Sequence, residues 1–278
     1  MGWQHFRYLN WRRTVIHDRQ PLVYPASALH VLTVVRLAPG EDLIEAFKKL
    51  RAETEGAGGG QWIYAGKTVF IGLHSSQLGE TAWDGAFLVQ YPSREAYDEV
   101  AGTPAYREAL GRFPETYSHG MKRPAALNLG LPMALLATHV RNVLTGAPII
   151  DTDDPADPEE LAERLASPGV AAAAPYGTQA MVVVNLVLNG DSAERKANSE
   201  YGSAMLSVMA RGGHGPAHIG GALTLEGTAR FDNVIIVYYP GVEYFIRLVS
   251  SKFFTGIVGN KQLGDSLAMP TVPILDRL

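Results

Sequence analysis

The chain contains no cysteine. Disulfide staples, thiolate metal sites and cysteine nucleophiles are therefore excluded, and any redox compartment is compatible with the composition. Charge of one sign is also scarce. With 24 Lys and Arg against 28 Asp and Glu, the formal net charge is −4, which gives no general attraction for nucleic acid or an anionic membrane. Long hydrophobic runs are missing: the most apolar helical stretch, 131–144, is broken by His139, Arg141 and Asn142 and is too short to span a bilayer. The N-terminal MGWQHFRYLNWRRTVIHDRQ has neither an apolar signal core nor a small-residue cleavage site. The glycine-rich runs 56–60 and 212–221 lack the Lys and Ser or Thr of a phosphate loop, and they end helices rather than begin them. The expectation is a soluble, cytoplasmic protein with no nucleotide or other cofactor, no nucleic-acid partner and no membrane partner.

What the sequence does contain is a repeat. Trp83 to Tyr106 and Phe231 to Phe254 match without a gap at an offset of 148 (83 + 148 = 231), with Asp84/Asp232, Val89/Val237, Tyr91/Tyr239, Pro92/Pro240 and Glu95/Glu243 identical. The offset also holds at Val34–Val35/Val182–Val183 and Ile71–Gly72/Ile219–Gly220. At 46% apolar and 19% charged residues over 278 positions, two modest domains with a sizeable buried core fit the chain.

In chain order, residues 1–27 form an aromatic and basic arm. The β-branched run 29–37 reads as a strand, 41–55 as a helix stopped by Gly56–Gly60, 61–73 as a second strand kinked at Gly66, and 83–91 as a third. Ser93 is placed to cap the next helix, Pro104 starts another, and 121–129 could supply a weak, proline-interrupted edge strand. An apolar helix at 131–144 and an acidic segment capped at Asp157–Pro158 follow, and GVAAAAPYG (169–177) reads as a linker. Strand 179–188, helix 193–209, strand 217–226, strand 231–239 and helix 242–254 then repeat the first half. The domains expected are the arm (1–27), a first repeat (28–124), a helical connector with an acidic linker (125–177) and a second repeat (178–278).

A β-α-β-β-α-β unit is the ferredoxin-like split motif, with helices on one sheet face and the other face in need of cover. Two copies in one chain supply that cover for each other. The fold class expected is α+β: two ferredoxin-like βαββαβ repeats packed sheet to sheet as an intramolecular dimeric α/β barrel, plus a connector helix. The chain would be a monomeric pseudo-dimer or a further homodimer. The pattern ARGG…GG…LEG…FDNVIIVYYPGVEYFIRLVSSKFF resembles the DUF1330 family of dimeric α/β-barrel proteins, specifically over 178–262 and more loosely over 28–123. The resemblance implies the fold. The wider superfamily includes cofactor-free monooxygenases, haem-degrading enzymes, lactone isomerases, and dehalogenating or decarboxylating enzymes.

Several side chains could carry chemistry. Gly215 and Pro216 preclude a helical metal pair at His214 and His218, but a loop could present both, with Glu226 nearby on the following strand, as a proton-transfer site or as metal ligands. Arg211 could fix an anion or support a helix C-terminus. Tyr91 and Tyr239 share faces with Val89 and Val237, where a buried hydroxyl needs a partner; Tyr64 and His74, on and after the second strand, are further candidate substrate contacts. Asp84 and Asp232 suit turn amides. Gly264–Asp265–Ser266–Leu267 spells a serine-esterase motif but lies near the end of the chain with no histidine after it.

The leading expectation is a cofactor-independent enzyme, of isomerase or monooxygenase type, using histidine acid/base chemistry on a small apolar or aromatic molecule held between a sheet and its helices. The alternatives are a non-catalytic ligand-binding or structural protein, in which helix 131–144 fills or lids the cavity, and a haem or metal enzyme.

Overall fold

The computed structural model describes residues 23–147, 149–225, 227–258 and 265–278. In chain order the elements are β1 (Leu29–Arg36), α1 (Leu43–Gly58), β2 (Gln61–Thr68), β3 (Gly85–Tyr91), α2 (Arg94–Gly102), α3 (Pro104–Leu110), β4 (Glu115–Lys122), α4 (Leu127–Leu144), α5 (Pro158–Leu165) and α6 (Pro168–Ala173). They continue with β5 (Met181–Val187), α7 (Ser192–Gly212), β6 (Gly215–Thr224), β7 (Asn233–Tyr239), α8 (Val242–Ser250), α9 (Lys252–Val258) and β8 (Leu267–Pro273).

Runs such as LHVLTVVR in β1 are apolar on both faces because both faces are buried. One set of side chains fills the space enclosed by the sheet, and the other meets the helices outside. The α+β class is observed. The eight strands close into one antiparallel barrel in the order β1-β3-β2-β8-β5-β7-β6-β4. Within it, β4-β1-β3-β2 and β8-β5-β7-β6 are two four-stranded sheets of the same internal order. They do more than face each other, since β2 hydrogen-bonds to β8 and β4 to β6, so neither sheet keeps an open edge.

Pairing registers show how closely the halves correspond. Shifted by 148, β3, α2 and α3 land on β7, α8 and α9 (85 + 148 = 233; 94 + 148 = 242; 104 + 148 = 252). Leu29 pairs with Tyr91, and Met181 with Tyr239. Gly66 pairs with Ala86, and Gly220 with Val234. A register shift falls between Trp62 and Tyr64 in β2 and between Pro216 and His218 in β6. Asp84 Oδ2 accepts from Leu37 N–H (2.8 Å), and Asp232 Oδ2 accepts from Asn189 N–H (2.6 Å).

The constant offset fails outside these elements: the registers match β1 to β5 at 152 (29 + 152 = 181) and β2 to β6 at 154 (62 + 154 = 216), and the β6–β7 connection is shorter than the β2–β3 one. Neither Ile71–Gly72 with Ile219–Gly220 nor Val34–Val35 with Val182–Val183 is therefore a structural equivalence: Gly220 occupies the place of Gly66, and Val182 the place of His30.

Other expectations need correction. The fourth strand of the first half is Glu115–Lys122, not 121–129, and it lies between β1 and β6 rather than at an edge. Its buried polar Ser118 and His119, followed by Gly120, disguise a core strand. Segment 169–177 holds α6 and a 3₁₀ turn, begun by Pro168 and favoured by its alanines. The helix expected over 242–254 breaks at Ser251, whose hydroxyl donates to Leu248 O (2.7 Å) and accepts from Phe254 N–H (3.2 Å). Thr103 makes the same two bonds between α2 and α3.

Caps at Ser93 and Asp157 form as expected. Helix α4 lies against α7 and β6 on the outside of the barrel. It buries Leu135 but leaves Leu136 and Val143 exposed. Among the described residues, no helix is long and apolar enough to cross a membrane.

Candidate functional site

The two halves differ in how the helix-facing side of the sheet is filled. In the first half, Trp62 and Phe87 stack at 4.4 Å between ring centroids, and Phe47 of α1 meets both edge-on. Tyr91, Tyr97, Tyr106 and Phe113 complete a closed layer. At the equivalent second-half positions, Pro216 replaces Trp62 and Ile235 replaces Phe87. The lost ring volume is open space.

A cavity of about 670 Å³ runs between α7, α8 and α9 and the outer face of β5, β7, β6 and β8. That lies within the ~300–1,000 Å³ range of small-molecule sites. Its floor is Val183, Asn185, Val187, Ile235 and Val237, its roof includes Met205, Met209, Phe245 and Phe254, and Phe70 enters from the segment after β2.

Its inner end is built around Tyr239, which is only 6% exposed, with buried Met209, Val183, Val237 and Phe245 beside it. Asn189, Gly202, Thr255 and Val258 form an exposed rim. The Tyr239 ring packs edge-on against Phe245 at 4.8 Å and tilted against His214 at 5.3 Å. Its hydroxyl makes no hydrogen bond among the described residues. Burial, with Tyr201 and Tyr244 nearby, raises its pKa well above the usual phenol value, so it is a neutral donor throughout the working pH range.

Asn185 stands on the floor. Both of its hydrogen bonds are donated by Nδ2, to Val183 O (3.2 Å) and Ile235 O (2.9 Å). Two carbonyl acceptors fix the amide orientation and leave Oδ1 as an acceptor. Tyr201 lines the roof, its pKa raised to about 12 by burial. Arg164 is the sole cation of the described lining, exposed and bonded to Glu160. No Asp, Glu or His belongs to that lining.

The structure separates most of the residues singled out from sequence. His218 is buried in β6 opposite Ile236, one of the barrel-interior positions, and not part of the cavity wall. His214 lies behind the wall between Tyr239 and Tyr244, and burial pushes its pKa down to about 3. Their expected loop is mostly strand, since β6 starts at Gly215. Glu226 lies outside the described residues. So do residues 1–22 of the arm and Gly264.

Arg211 points to a separate small hollow on α7 and donates to Ala147 O (3.1 Å). Tyr64 bonds within the barrel to Thr271 (2.5 Å); Thr271 itself donates to Val182 O, so the tyrosine is the donor. Tyr91 is packed into the closed first-half layer, edge-on to Tyr97. His74 is exposed beyond the end of β2, which stops at Thr68. Asp265 accepts from Ser76 N–H, Gln77 N–H and the hydroxyls of Ser75 and Ser76, and Ser266 accepts from Leu188 N–H. The esterase-like motif is thus a loop clamp.

Sequence reasoning missed Asn185, Tyr201 and Phe70. The one available signal was Asn185 itself, a polar residue interrupting MVVVNLV at a helix-facing position.

The site thus defines a class: an eight-stranded antiparallel α/β barrel with a ligand-sized apolar cavity in one half. No family model matches the chain. No curated protein matches it. Solved structures of similar shape include an anthrone oxidase-like protein (9% identity, TM-score 0.47, covering 89% of this chain and 92% of that one). Another is a mutant chlorite dismutase from Candidatus Nitrospira defluvii (13% identity, TM-score 0.46, covering 93% and 96%). A protein of unknown function from Rhodopseudomonas palustris covers 42% of this chain and 91% of its own length (22% identity, TM-score 0.26). Likenesses this distant assign neither an activity nor a ligand.

The described lining offers no donor set for haem or a metal ion. No histidine lines the cavity, and no group of three or more His, Asp or Glu among the described residues could hold a metal ion.

Proposed function

We propose that the protein binds a small, largely apolar molecule in the second-half cavity. The observation that carries this is the contrast between equivalent positions: Trp62 and Phe87 close the first half, and Pro216 and Ile235 leave the second open. The neutral fluorescent amine N-phenyl-1-naphthylamine should bind with one-to-one stoichiometry. Ile235→Phe, which copies the first half, should abolish the signal while the protein stays folded by circular dichroism. Undiminished binding in that variant would place the ligand elsewhere.

An enzymatic reading, of isomerase or monooxygenase type, stands second. It rests on the uncommitted Tyr239 hydroxyl, a neutral donor able to stabilise negative charge developing on a substrate oxygen. Histidine acid/base chemistry at His214 or His218 has no support from their positions behind the wall. A substrate would have to supply its own ionised group, and oxygen uptake or isomerisation lost in Tyr239→Phe is the assay.

We further read the chain as a tandem duplication of a ferredoxin-like βαββαβ unit of DUF1330 type, monomeric as a pseudo-dimer. The shared strand order, the equivalent register shifts and the matching Asp84 and Asp232 bonds support this reading.

A further inference from the structure

The cavity of the proposed binding function is mostly apolar, with Asn185, Asn198 and Tyr201 along its walls and Tyr239 at its inner end. Tyr239 is 6% exposed, lines that end, and has a hydroxyl with no hydrogen bond among the described residues. A buried phenol without an acceptor forfeits a hydrogen bond it would make in water, and a ligand that supplies the acceptor recovers it. Met209, Val183, Val237 and Phe245 beside Tyr239 are apolar, and the nearby Tyr201 and Tyr244 hydroxyls make no hydrogen bond with it. The neighbouring His214 ring lies tilted against it at 5.3 Å between centroids, and neither imidazole nitrogen makes a hydrogen bond with it.

The charge of the ligand follows from the same surroundings. No cation flanks Tyr239 within the lining; Arg164 is exposed and already bonded to Glu160. An anionic group driven to the inner end would lose its hydration without a counter-charge, so a neutral oxygen is favoured there.

We propose that the ligand is a neutral, mainly apolar molecule inserted with a carbonyl-type oxygen foremost, and that this oxygen accepts from Tyr239 Oη. This rests on the cavity being the binding site, and it adds which end enters first and which atom is recognised.

Benzophenone and diphenylmethane differ by that one oxygen at nearly the same shape. In the wild-type protein, benzophenone should bind about tenfold tighter in competition with N-phenyl-1-naphthylamine, the factor expected of one recovered buried hydrogen bond. In Tyr239→Phe the two affinities should come within about twofold, the loss of that same bond. The carbonyl stretch of ¹³C-labelled benzophenone should move to lower frequency on binding to wild type and lose that shift in Tyr239→Phe. This readout would not follow from a change in packing alone. Equal affinities in wild type, or a preference and a shift that survive in Tyr239→Phe, would overturn the proposal while leaving the cavity as the site. Failure of both compounds to bind, or binding unaffected by Ile235→Phe, would overturn the cavity reading and this inference together.

Discussion

Three imidazoles set the response of the fold to acid. Burial lowers the pKa of His30 to about 3, with Arg123 adding to the effect, and burial likewise lowers His119 to about 4 and His214 to about 3. Each is neutral in the folded protein near pH 7, whereas in the unfolded chain each takes a proton as the pH falls through about 6.5. The unfolded state therefore binds more protons between about pH 6.5 and pH 3–4, and stability present above that window is lost on descending it, by about 1.4 kcal/mol per pH unit for each fully unmatched group. Urea unfolding at pH 7, 6 and 5 should show this decline. His214→Phe, which keeps a ring against Tyr239 and Tyr244, should make it shallower by about one proton's worth. An unchanged slope would mean that His214 is not protonated on unfolding in that range.

At the scale of elements, close approach of strands is the vulnerable point. A Cβ on Gly220 would stand 2.7 Å from Lys122 O and strike Met121, and one on Gly66 would stand 2.8 Å from Thr271 Oγ1 and strike the Tyr64 hydroxyl. Gly220→Ala and Gly66→Ala should each cost about 1–3 kcal/mol by overpacking, read from denaturation midpoints. Loss of the Asp191 capping box of α7 in Asp191→Ala should cost about 1 kcal/mol, a smaller and purely local effect.

Elements were legible where local chemistry decides them: β3, α2, β7 and the start of α8 through the ungapped repeat, and the caps at Ser93 and Asp157. They were not legible where burial overrides composition. β4 carries a buried histidine and serine, so its polar residues hid a strand enclosed by two neighbours. The Ser251 break was hidden because a hydroxyl that ends one helix and caps the next looks like any serine in an apolar run. At the site, Tyr239 was visible in the repeat, but the cavity depends on which residues its register sets opposite one another, as with Pro216 and Ile235. The connections between strands differ in length in the two halves, so β1, β2 and β3 match β5, β6 and β7 at 152, 154 and 148, and no single offset could recover that register.

For the molecule as a whole, the absence of open sheet edges should make the two halves unfold together. The second half, 178–278, has no tryptophan, so tryptophan fluorescence reports on the rest of the chain while far-ultraviolet circular dichroism reports on both halves. The two denaturation curves should coincide, as the paired strands β2–β8 and β4–β6 require. Separate midpoints would show that the halves are independent.

The position-by-position correspondence of the halves also means that the first carries a latent pocket, plugged by its own aromatic rings. Trp62→Ala with Phe87→Ile should unplug it, at a cost of about 3–5 kcal/mol or more, and the void should take up xenon or benzene as engineered apolar voids do. One scaffold would then hold two chambers on opposite flanks of the barrel, one native and one vacated. Evolution could recruit the second by mutating side chains alone, without altering a single strand connection.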